Sequence, residues 1–135
     1  MPTEELLSPQ LYFLSPICLS HKMKLSPEEG LKKLADSGRL FTELFHHGSL
    51  SVEVYRPIDQ DLQTPHDRDE IYIIISGYGD FISDGQQYSF GEGDFFFVQA
   101  GVEHHFENFS EDFSTWVIFF GPKGGEADTP IDQAD

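Results

Sequence analysis

The chain has 135 residues, 39% of them apolar, with 13 phenylalanines, so it can build one core of ordinary domain size and is not disordered throughout. Its 24 acidic residues against 8 basic ones give a formal net charge of −16, which repels nucleic-acid backbones and anionic membranes. A single cysteine, Cys18, excludes an internal disulfide and a thiolate metal cluster, and suits a reducing compartment.

Residues 1–25 carry Leu11-Tyr12-Phe13-Leu14 and Ile17-Cys18-Leu19, punctuated by Ser8-Pro9 and Ser15-Pro16, and read as an extended arm. The start, Met1 to Glu5, lacks the positive charge of a secretory signal, and no apolar run approaches the ~18 residues of a membrane span. A cytoplasmic protein is expected. Ser26-Pro27-Glu28-Glu29 has the form of a capping box and predicts a short helix to about Ser37, with Leu31, Leu34 and Ala35 on one face and Gly38 placed to end it. Residues 1–39 are expected to belong to the same domain as residues 40–121.

From Phe41 the pattern changes to short runs of period two. Strands are predicted near 41–46, 49–56, 70–76, 80–83, 86–90, 95–98, 104–109 and 113–120, with turns at Gly77-Tyr78-Gly79, Asp84-Gly85, Gly91 to Asp94 and Ser110-Glu111-Asp112. Strands recurring at this spacing predict an all-β sandwich or barrel over residues 40–121. Residues 122–135 form an acidic tail, expected to be flexible. Three strands, Ile71 to Ile75, Phe95 to Val98 and Trp116 to Phe120, are apolar on both faces, whereas a sheet with one wet face would alternate. Their outer side needs a cover, and both the N-terminal segment and a second subunit are expected to supply it, making a homodimer.

Two stretches carry candidate chemistry: Thr64 to Glu70, and Gly93 to Asn108. His66, Glu70 and His104 offer two neutral nitrogens and one carboxylate oxygen, a set that suits Fe(II) and other divalent first-row metals while leaving positions open. Strand parity puts Glu70, Tyr72 and Ile74 on one face, and His104, Phe106 and Asn108 on another. If those faces line an apolar interior, an unpaired Glu70 carboxylate is costly unless a cation compensates it. Tyr72, Phe106 and Trp116 read as core or pocket wall, and Asn108 as a site hydrogen-bonder or a turn residue. Arg56 and Arg68 are the only Lys or Arg residues within 40–121. Each can pair with neighbouring aspartates, Asp59 or Asp61 and Asp67 or Asp69, or serve an anionic ligand. His105 points away from His104's face, and His46-His47 precede Gly48 at a predicted hairpin. There is no Gly-rich phosphate loop, no Gly-x-Ser-x-Gly elbow and no cysteine beside a histidine, so nucleotide chemistry and acyl transfer lack support.

The spacing of these residues resembles the cupin superfamily, whose first motif is G-x5-H-x-H-x3,4-E-x6-G and whose second is G-x5-P-x-G-x2-H-x3-N. His66 fills the second histidine position, Glu70 the glutamate and Gly77 the closing glycine; Gly93, Gly101, His104 and Asn108 fit the second motif. Ile58, Thr64 and Gln99 stand where the pattern has glycine, histidine and proline. The resemblance covers roughly residues 40–121 and implies a double-stranded β-helix, or jelly-roll barrel. It also implies a divalent ion (Fe, Mn, Ni or Zn) held by three histidines and a glutamate. Here three of the four are present, and Gln63, Thr64 or water would complete the set. The resemblance further implies a small-molecule enzyme, dioxygenase-like or isomerase- or lyase-like, or alternatively a non-catalytic binding or sensor protein with a structural metal or none.

Overall fold

The structure is a computed structural model that describes residues 24–127; the arm expected over residues 1–23 and the tail beyond 127 lie outside them. Helix α1 runs from Pro27 to Ser37. The Ser26 hydroxyl accepts from the Glu29 backbone N–H at 3.1 Å, the Ser26 N–H donates to Glu29 Oε1 at 3.3 Å, and Gly38 closes the helix at φ 68°.

Eight strands follow: β1 Phe41–His47, β2 Leu50–Tyr55, β3 Asp69–Ser76, β4 Gly79–Ser83, β5 Gln86–Phe90, β6 Phe95–Val98, β7 His104–Glu107 and β8 Ser114–Phe120. They form two antiparallel sheets, a five-stranded one ordered β1-β2-β8-β3-β6 and a three-stranded one ordered β5-β4-β7. Every predicted strand is present. The largest differences come at β7, where pairing stops at Glu107 because Asn108 turns the chain at φ 56°, and at β2, which pairs only from Leu50.

Between the sheets lies an aromatic core of Tyr72, Phe81, Phe90, Phe106 and Phe113 with Ile74, Val98 and Val117. Period two explains it: Glu70, Tyr72 and Ile74 of β3 and His104 and Phe106 of β7 all turn inward and are buried. Gly77 sits at φ 88°, and a side-chain carbon there would come within 2.6 Å of the Phe113 backbone. The β3–β4 turn therefore tolerates no larger residue, which accounts for a glycine seven positions after Glu70.

The outer face of the larger sheet is a cross-strand apolar ladder. Val52, Ile118, Ile71 and Phe97 stand in one row, and Val54, Trp116, Ile73 and Phe95 in the next. Helix α1 covers one end, where Gly30 packs on Leu44 and Trp116 and Val54 is fully buried. At the other end Phe95 and Phe97 remain 59% and 53% exposed. The tail's first residues are tied back to the barrel: the Gly124 N–H donates to Asp67 O at 2.7 Å and the Glu126 N–H to Asp69 Oδ2 at 2.8 Å.

Candidate metal centre

Three elements bring the predicted ligands together. The loop between β2 and β3 supplies His66, and its carbonyl accepts from the Gly101 N–H at 2.7 Å. β3 supplies Glu70 and, from the opposite sheet, β7 supplies His104. One ligand atom from each lies within 4.8 Å of the others. His104 Nε2 is 3.1 Å and His66 Nε2 is 3.9 Å from Glu70 Oε1. Two ligands about 2.0–2.2 Å from a common ion and at right angles are themselves about 3 Å apart, so the His104–Glu70 separation matches one edge of a coordination polyhedron, while the 3.9 Å His66–Glu70 separation is wider and would have to close on binding.

The electrostatics fit a cation. Glu70 is 1% exposed and neither of its oxygens accepts a hydrogen bond of good geometry; the 3.1 Å approach of His104 is a charge contact without that alignment. A buried carboxylate left in this state is costly. His104 Nδ1 lies 2.9 Å from the Val102 carbonyl, which only accepts, so Nδ1 carries a hydrogen, while Nε2 stands 3.1 Å from both Tyr72 Oη and Glu70 Oε1. Burial works against a charged His104, but Glu70 and the Val102 carbonyl outweigh it and raise its pKa above the ordinary histidine value. Ion or proton, the pair calls for positive charge between them.

A polar cluster surrounds the trio. Tyr72 Oη donates to Gln63 Oε1 at 2.9 Å and stands 3.1 Å from His104 Nε2, while Gln63 Oε1 is 3.2 Å from His66 Nε2. Burial, then Glu70, push the Tyr72 hydroxyl well above its usual value, keeping it a proton donor. The site opens into a cavity of about 750 Å³, walled by Phe41, Tyr55, Leu62, Val117 and Phe119 with Glu53 at its side. Burial, together with Glu43 and Glu70, raises the Glu53 pKa.

Other sequence candidates lie elsewhere. Thr64 is exposed, whereas Gln63 turns inward from the same loop. Phe106 is core. Trp116 packs on the outer face under α1. Asn108 holds the β7 turn, its amide donating to Asp80 Oδ2 at 3.0 Å. Arg56 lines a different cavity, of about 670 Å³ beneath α1, and donates to the Glu111 carbonyl at 3.1 Å. Arg68 contacts the Ser49 carbonyl and stacks over Phe119 at 5.8 Å. His105 pairs with Glu107 at 2.7 Å, and His46 with Glu43 at 3.2 Å, at the surface. The one participant that sequence reading misplaced is Asp61. Its pattern suggested a surface partner for Arg56, but it accepts from Tyr55 Oη at 2.6 Å, Gln63 Nε2 at 2.6 Å and the Phe106 N–H at 2.8 Å.

Two antiparallel sheets enclosing a His-Glu-His cluster define a cupin-type jelly-roll barrel. The chain belongs to the cupin family: the family described as Cupin domain matches residues 52–120, just over half its length. An uncharacterized protein of Streptomyces coelicolor is 35% identical over 63 residues, 47% of this chain and 60% of that protein, so the match spans less than two thirds of the relative. Among solved structures, DMSP lyase DddQ from Ruegeria pomeroyi is 26% identical with a TM-score of 0.53, covering 60% of this chain and 46% of that one. KdgF from Halomonas sp. is 16% identical with a TM-score of 0.54, covering 62% and 78%. A cupin 2 conserved barrel domain protein from Rhodopseudomonas palustris is 12% identical with a TM-score of 0.52, covering 62% and 61%. The last two share the fold. No helix among the described residues is long and apolar enough to cross a membrane.

Proposed function

We propose that this cupin is a small-molecule metalloenzyme whose divalent ion is held by His66, Glu70 and His104. The observation that carries this reading is the Glu70 carboxylate, buried, without a hydrogen bond and facing the nitrogens of two histidines. When bound, such an ion polarises a substrate oxygen as a Lewis acid, or adds redox chemistry if it is iron. The protein's own residues do the rest. The apolar walls of the cavity bind the carbon skeleton and exclude water, and Tyr72 presents a protonated hydroxyl beside His104. Kinship with a protein named a lyase favours lyase- or isomerase-like chemistry over a dioxygenase.

Elemental analysis of protein purified without chelator or nickel resin tests the reading. About one first-row ion per chain is expected, lost in His104→Ala. Substoichiometric metal that is unchanged in His104→Ala would defeat it. Full occupancy with no turnover across a broad substrate panel would leave the site to a non-catalytic binding protein.

The end of the outer ladder that no other described element covers supports a second part of the reading, that two copies meet through Phe95 and Phe97. Light scattering at micromolar concentration should give twice the chain mass, and Phe95→Glu with Phe97→Glu should give the monomer. A wild-type monomer refutes the dimer and leaves the metal site untouched.

A further inference from the structure

The family pattern has a histidine where this chain has the exposed Thr64, which leaves the centre one donor short. The adjacent residue does what Thr64 cannot. Gln63 lies half-buried in the loop before β3, with its side chain in the cavity beside His66 and Glu70. Its amide has a nitrogen end that donates and an oxygen end that accepts, and only the oxygen can serve a cation. Which end faces the site is decided by Asp61. A carboxylate only accepts, so the Gln63 end that lies 2.6 Å from Asp61 Oδ2 must be Nε2. Oε1 is thereby turned to the centre, 3.2 Å from His66 Nε2 and 2.9 Å from Tyr72 Oη.

Asp61 is itself held at both oxygens. Tyr55 Oη and the Gln63 N–H approach Oδ1, at 2.6 and 3.4 Å, and the Phe106 N–H approaches Oδ2 at 2.8 Å. Burial, then Asp61, keep the Tyr55 hydroxyl protonated above its usual range, so it donates. The clamp reaches from β2, through the loop, to β7 on the opposite sheet. It fixes the amide before any ion arrives, which removes the conformational cost of ordering a flexible ligand.

Resting on the metal reading above, we infer that Gln63 Oε1 is the fourth protein donor of the centre, replacing the absent histidine, and that Asp61 is the positioning residue that turns it inward. The 3.2 Å separation from His66 Nε2 is close to the ~3 Å spacing of neighbouring ligands about 2.0–2.2 Å from one ion.

Calorimetric titration of the metal-stripped full chain with Co²⁺, paired with the visible spectrum of the loaded protein, tests both parts. Gln63→Leu should weaken Co²⁺ binding about tenfold or more and shift the d–d bands, because an oxygen donor is lost. Asp61→Ala should weaken it similarly, and Asp61→Asn should restore most of the affinity, since its carbonyl still accepts from Gln63 Nε2 and the Phe106 N–H. In a Gln63→Leu background, Asp61→Ala should cost nothing further. Wild-type affinity and spectrum in Gln63→Leu would overturn the ligand assignment. A further loss from Asp61→Ala in that background would overturn the positioning role. Gln63→Leu leaves the Tyr55 and Phe106 contacts of Asp61 in place, so it reports even if Asp61→Ala fails to fold. Wild-type protein that binds no Co²⁺, or binds it equally in His104→Ala, sinks the metal reading itself, a result distinct from either.

Discussion

Glu70→Gln is expected to abolish metal binding and, at the same time, to flatten the pH dependence of the metal-free protein. Glutamine is nearly isosteric, so β3 and its pairing with β6 and β8 survive. The charge is lost, and divalent-ion affinity should fall by at least about 100-fold, more than the outer-contact losses typical of such sites. The pH effect follows from His104. Its pKa is raised in the fold, with Glu70 among the causes. A raised value means that the stability contributed by the protonated pair is fully present below the unfolded histidine value of about 6.5, and is lost as pH rises through the folded value. Metal-free wild-type protein should therefore lose melting temperature across that window. Glu70→Gln should lose less, because its neutral amide gives the imidazolium no countercharge. Melting curves of both proteins between about pH 5 and 9 make the comparison. Parallel curves would mean that His104 does not depend on Glu70 for its proton.

Phe106→Ala is expected to be the most damaging single truncation of the core, costing about 3–5 kcal/mol. The Phe106 ring is 1% exposed and stands 4.7 Å from Phe113, 4.8 Å from Phe81, 4.9 Å from Tyr72 and 5.5 Å from Phe90, centroid to centroid. Aromatic neighbours of this size, spread over both sheets, collapse poorly into a vacated volume. Phe106→Leu, which fills most of the space, should cost about 1.5 kcal/mol or less. Urea unfolding of the metal-free forms measures both. A loss below about 1 kcal/mol for the alanine variant would show that the cluster relaxes around the gap and does not depend on this ring.

The strands were legible in the sequence because period two and the intervening glycines and aspartates are local signals. That His66, Glu70 and His104 come together was legible from their joint spacing in the two cupin motifs, with strand parity putting Glu70 on the face of Tyr72. What the sequence hid depends on distant contacts. Asp61 looked like a surface acid beside Arg56, and nothing local shows that a backbone N–H of β7 lies 2.8 Å from it. Trp116 and Arg56 read as pocket candidates because parity assigns a face and not a neighbour. Trp116 falls on the outer face where α1 packs, and Arg56 follows the end of β2 toward the cavity beneath that helix. Gln63 required a loop conformation that strand alternation could not supply.

Glu70 and His104 stand on different sheets, so the proposed ion would make metal supply a matter of protein lifetime. An ion bound by both would act as a cross-brace between the two layers, beside their aromatic filling and the Asp61 clamp. Present at about 100 times its dissociation constant, it would add about 2.7 kcal/mol to the resistance against unfolding. On that reading, in a metal-starved cell the same chain would open more often and be degraded sooner, so its abundance would track the supply of the proposed ion.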